Sequence, residues 1–107
     1  MSSVTKAWKA WQEGLANKDS SKLGEFFTDG FQFVSATGTR NKQETLDWTA
    51  AGGNPTSIDD LEVLYENDEV AVAHHSANSD LGEGRVMAVY TKKDGKFSHL
   101  RMVRQSV

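Results

Sequence analysis

The 107-residue chain contains no cysteine, a single proline, and no apolar run near the roughly 18 residues that a membrane-spanning helix requires. The absence of cysteine excludes disulfide staples, thiolate zinc sites and cysteine nucleophiles together. Charge is not concentrated either: 12 Lys and Arg stand against 15 Asp and Glu, a formal net charge of -3, with neither sign gathered into a block. The electrostatic footprint of a nucleic-acid or anionic-membrane binder is missing, so neither is expected as a partner. The first residues lack the charged and then apolar layout of a signal peptide, which makes a cytoplasmic location the expectation. Catalytic signatures are equally scarce. No serine sits in a Gly-x-Ser-x-Gly elbow, and Gly82-Glu83-Gly84 lacks the helix and the third glycine of a phosphate loop. No cofactor is implied.

What the chain does have is bulk. Three Trp, two Tyr and five Phe in 107 residues supply the core of one small domain, expected over residues 1–107. Val4, Ala7, Trp8, Trp11 and Leu15 recur at helical spacing behind Ser2 or Ser3 as N-cap, predicting an amphipathic helix of about four turns. Leu23, Phe26 and Phe27 fit a short second helix that Asp29-Gly30 breaks, and Phe31 to Ser35 alternate as a strand. Asn41 with Glu44 three residues on resembles a capping box, opening a helix that Gly52-Gly53-Asn54-Pro55 ends. Four strands then follow, turning at Asn67-Asp68, in the loop Asn78 to Gly84, and at Asp94-Gly95. The order helix, helix, strand, helix and four strands argues an α+β fold, with helices gathered on one face of a curved antiparallel sheet that encloses a pocket.

The segments Trp8 to Leu15, Lys18-Asp19 and Leu23 to Val34 resemble the opening of NTF2-like domains. Val89-Tyr90 leading through Lys93-Asp94-Gly95-Lys96-Phe97 is similar to the ending of the SnoaL-like and calcium/calmodulin-kinase association-domain branches. The resemblance covers nearly the whole chain and implies a cone-shaped fold, a homodimer formed through the outer sheet face, and a pocket that hosts very different functions. For the SnoaL-like branch it implies isomerase-, cyclase- or dehydratase-type acid-base chemistry. The alternative is a non-catalytic association module. The enzymes of this superfamily carry an acidic or His side chain on the pocket face of the last strand, where this chain offers Leu100 and Met102.

A two-residue Asp94-Gly95 turn sets Val89 opposite Leu100 and Met87 opposite Met102, which assigns these four to the pocket face. Trp11, Phe33 and Trp48 join Met87, Leu100 and Met102 as expected ligand-binding residues around a soft, apolar cavity suited to a small uncharged molecule. Tyr90, His99 and Arg101 fall on the other face as the expected dimer interface, since aromatics and Arg are favoured in interface cores. Leu61, Val63, Tyr65, Val70, Val72 and His74 collect on one face of the preceding hairpin. His74, alone and titratable among them, is the candidate general base; the same position equally suits a core or rim histidine satisfied by backbone or water. His74-His75 is a poor metal pair, because neighbouring strand residues point to opposite faces, and no metal is expected.

Overall fold

The computed structural model describes residues 3–53, 55–80 and 82–107. Ser2, Asn54 and Leu81, which enter the sequence reading as an alternative cap and as loop residues, lie outside this set. The first helix, α1, runs Val4–Asn17 and begins where Ser3 accepts a hydrogen bond from the Lys6 amide. Its buried stripe of Val4, Ala7, Trp8, Trp11, Gly14 and Leu15 is the one its spacing predicts. Lys18, in the left-handed region at φ 54°, ends it, with the Asp19 amide returning to the Gly14 carbonyl.

The second helix is shorter than expected. It covers Ser21–Gly24 as α2, and Phe27 already opens the strand β1, Phe27–Ser35. A strand absent from the expected order, β2 at Gly38–Asn41, folds back on β1 before α3, Lys42–Ala50. The expected capping box is present: Asn41 Oδ1 accepts from the Glu44 amide, and Glu44 Oε1 accepts from the Asn41 amide, each at 2.9 Å. Strands β3 (Ser57–Glu66), β4 (Val70–Ser79), β5 (Gly82–Lys93) and β6 (Lys96–Ser106) complete the chain.

The six strands form one curved, unclosed sheet in the order β2-β1-β6-β5-β4-β3. All neighbours are antiparallel except β1 and β6, which run parallel. Helix α1 packs against β3, and α3 against β1 and β2. Between helices and sheet the rings interlock: Trp11 meets Phe27 and Phe33 edge-on, and Phe27 stacks on Phe31 at 3.8 Å.

One bulge decides which residues face the helices. The β5–β6 pairing starts as the turn predicts, Lys93 with Lys96 and Lys92 with Phe97, but Ser98 is then passed over and Thr91 pairs with His99. Every pair beyond it is displaced by one, so Tyr90 faces Leu100, Ala88 faces Met102 and Val86 faces Arg104. The expected faces of β5 are therefore exchanged. Tyr90 is buried in the core and not on the outer face, while Met87 is 39% exposed on the outside. The hairpin of β3 and β4 departs in the same way. Its inward residues are Ala71, Ala73, His75 and Ala77, all buried, and His74 lies on the outer face between Glu62 and Met87. Of the other residues grouped with His74, Val63 shares Ala73's inward face and Tyr65 shares the outer face with Val72; they are 39% and 55% exposed.

Candidate functional site

The pairing pattern builds the site as rows across the concave face. Ala71, Tyr90, Leu100 and Phe33 form one row; Ala73, Ala88 and Met102 form the next; His75, Val86 and Arg104 form the third. Two small alanines, Ala77 and Ala88, keep the floor of this surface low. The helices bring Trp8, Trp11 and Trp48 over it without filling it. The result is a cavity of about 540 Å³, within the roughly 300–1,000 Å³ typical of small-molecule sites.

Of the six expected ligand-binding residues, Trp11, Phe33, Trp48, Leu100 and Met102 line this cavity and Met87 does not. His74, the expected base, does not reach it either; His75 does. The expected interface set divides: Tyr90 lines the cavity, whereas His99 and Arg101 lie on the outer face, Arg101 exposed and His99 partly so. The sequence reading missed Trp8, His75, Tyr90 and Arg104 as cavity residues. For His75 and Tyr90 the signal was present in the alternation of β4 and β5, read one residue out of phase.

His75 is 7% exposed and its ring meets Trp8 edge-on at 5.6 Å. Its Nδ1 lies 2.9 Å from the Ser76 carbonyl. A carbonyl can only accept, so the proton resides on Nδ1, and Nε2 keeps a lone pair that meets no partner among the described residues. Burial holds its pKa below the ordinary histidine value, with the Ser76 carbonyl opposing and His74 adding to the shift. The ring is accordingly a neutral base at neutral pH. Tyr90, pushed up by burial, stays a phenol, and its hydroxyl has no hydrogen-bond partner among the described residues. It stands four residues, about 13 Å, further along the sheet than His75's partner Val86.

Two arginines line the cavity. Arg40 lies over the Trp48 indole at 5.5 Å. Arg104 donates through Nη2 to the Gly82 carbonyl at 2.6 Å, while its Nε is buried without an acceptor among the described residues. Trp8 Nε1 is likewise buried and unpaired among the described residues. Within the same set no group of three or more His, Asp or Glu is placed to hold a metal ion, and no helix is long and apolar enough to cross a membrane.

No protein-family model and no curated protein matches the sequence. Solved structures do. An NTF2-like protein of unknown function from Cytophaga hutchinsonii is similar at TM-score 0.79 and 9% identity, over 98% of this chain and 92% of that one. A protein from Rhodopseudomonas palustris, provisionally named an isomerase, is similar at 0.75 and 15%, over 99% and 91%. One from Sinorhizobium meliloti, provisionally named a polyketide cyclase, is similar at 0.73 and 16%, over 91% and 93%. The chain has the NTF2-like fold.

Proposed function

We propose that this NTF2-like fold binds a small, largely apolar molecule in the cavity and moves a proton on it, as an isomerase or cyclase of SnoaL-like type would. The observation that carries the reading is His75: a buried, neutral imidazole in a lining of tryptophan, alanine and leucine, its Nε2 without a partner among the described residues. Such a base takes a proton from a carbon next to a carbonyl and returns it at another carbon, a shift that needs no oxidant and no cofactor. Tyr90 is a neutral donor for an oxygen at the far end of the substrate. The provisional names of two solved relatives support the reaction class. The proposed base sits on β4, so the chemistry does not depend on an acidic or His side chain on the pocket face of the last strand, where Leu100, Met102 and Arg104 stand.

All three tryptophans line the cavity, so their fluorescence reports occupancy. The test uses 1-tetralone, an apolar ketone, followed by NMR for exchange of its α-protons with deuterated solvent. The native protein is expected to quench and to accelerate exchange, His75→Gln to lose the acceleration, and His74→Gln to keep it. Equal exchange in all three refutes His75 as base.

A second reading, an association module, is favoured by the outer face. There Tyr65, Val72, Val89 and Arg101 form one row, and His74, Met87 and Val103 another; Val103 is 63% exposed. A second copy covering this face would bury His99 and Arg101. Light scattering on Val103→Glu and Arg101→Glu tests it: a dimer that both variants leave intact places the interface elsewhere.

A further inference from the structure

Arg104 is a cation of the cavity that no carboxylate among the described residues claims. One of its Nη2 hydrogens goes to the Gly82 carbonyl, and its Nε is buried with no acceptor among the described residues. A side chain at Gly84 would meet that Nε at 2.5 Å, so the guanidinium lies directly against bare backbone. No carboxylate comes within ion-pair distance among the described residues; Asp80 lines the same cavity, is exposed, and forms no ion pair. Arg40 differs, because its guanidinium already rests on the Trp48 ring. A cation in an otherwise apolar lining, with guanidinium donors that the described residues leave unused, favours an anionic acceptor.

The geometry points to an amphiphilic monocarboxylate as the molecule the cavity takes, its flat apolar body against Trp11, Phe33 and Trp48 and its carboxylate on Arg104. The inference rests on the proposal that the cavity binds a small molecule, and adds the charge and the polarity of entry. With Nε turned to the backbone at Gly84 and one Nη2 hydrogen on Gly82, Nη1 and the second Nη2 hydrogen remain as the end-on fork that matches a carboxylate. One such fork, with Asp80 on the same lining, suits a single negative charge and disfavours a dianion such as a phosphate monoester. The row of the sheet that carries Arg104 also carries His75, two strands or about 10 Å away between backbones. A carboxylate on Arg104 therefore sets which carbons of the bound body lie near Nε2.

The test compares 2-naphthoate with 2-naphthamide, which has the same shape and no charge, by calorimetry on the whole protein. Naphthoate is expected to bind about tenfold to a hundredfold more tightly, the range of a charge-assisted hydrogen bond. Arg104→Gln is expected to abolish the difference by weakening naphthoate far more than the amide. Should that variant not fold, Arg104→Lys, which keeps the charge and loses the fork, is expected to shrink the preference, and added salt to shrink it in the native protein. Equal affinities in the native protein overturn the carboxylate and leave the apolar cavity standing. A preference that survives Arg104→Gln and is lost in Arg40→Gln overturns the assignment to Arg104. Failure of both compounds to bind overturns the cavity reading and this inference with it.

Discussion

Replacing Gly53 with alanine isolates the contact that holds Trp48 over the cavity. Gly53 has φ +66° just after α3, its amide donating to the Trp48 carbonyl at 3.0 Å. A Cβ there would stand 2.6 Å from Leu15 Cδ2 and 3.0 Å from Trp48 Cη2. Two costs follow. An L side chain in the left-handed region costs about 1–2 kcal/mol, and overpacking against two core side chains costs about 1–3 kcal/mol more. The sum, about 2–5 kcal/mol, corresponds to a melting temperature lower by roughly 8–20 °C at about 4 °C per kcal/mol for a domain of this size. Gly52 supplies the control. It also has positive φ, +89°, but its added Cβ would meet only the flexible end of Lys18 at 3.3 Å. Gly52→Ala should therefore show the backbone cost alone, about 1–2 kcal/mol. Calorimetric melts of both variants, with tryptophan emission to follow the displaced indole, make the comparison. Equal losses at the two positions would refute the claim that Leu15 and Trp48 are packed against bare backbone.

Acid should weaken the fold through His75. Its folded pKa lies below the unfolded value of roughly 6.5, so the unfolded chain takes up the proton first and stability falls as pH drops through that value. Melts between pH 7.5 and 5.5 should show the decline, and His75→Asn should flatten it; a decline unchanged in the variant assigns it elsewhere. Lys92→Met should cost about 2–4 kcal/mol in urea unfolding. Lys92 Nζ, its side chain 3% exposed, is bound at 2.8 Å to Glu66 Oε2, which also accepts from the Val4 amide at the start of α1; a loss under 1 kcal/mol would refute that tie. Ala88→Leu should lower the affinity for apolar ligands at least tenfold by filling the cavity floor, with Ala10→Leu on α1 as a control; an equal effect of both would separate binding from the cavity.

Where the signal was local, the sequence was easy to read. Ser3, the stripe of α1 and the Asn41–Glu44 box each act within a few residues, and each stands where its spacing places it. The faces of β4 and β5 were not legible, for two physical reasons. The bulge at Ser98 leaves no mark that alternation can register, because Phe97 and Ser98 are both buried. Val72, Val89 and Met87 also lie outside, while Ala71, Ala73, Ala77 and Ala88 lie inside beside Val86 and Tyr90. Assigning the bulkier side to the core is sound for a filled interior; this sheet faces a void, and a void is made from small residues. The short strand β2 was hidden similarly, since Gly38–Asn41 carries turn and cap residues rather than a β-branched run.

The open sheet ends in β2 on one side and β3 on the other, and both margins offer unpaired backbone to any extended chain that drifts past. The chain defends them differently. At four residues, β2 is too short to template a neighbour. The longer β3 is broken by register shifts after Asp59 and after Val63, carries Asp60 at φ +58°, and sets Asp59, Asp60 and Glu62 along its length. A second strand cannot follow that broken line for more than a few residues, and an approaching copy meets its own negative charges. The irregularities of β3 thus act as insurance against fibrous self-assembly, in a protein whose adjoining Val63, Leu64 and Tyr65 are all exposed and would otherwise invite it.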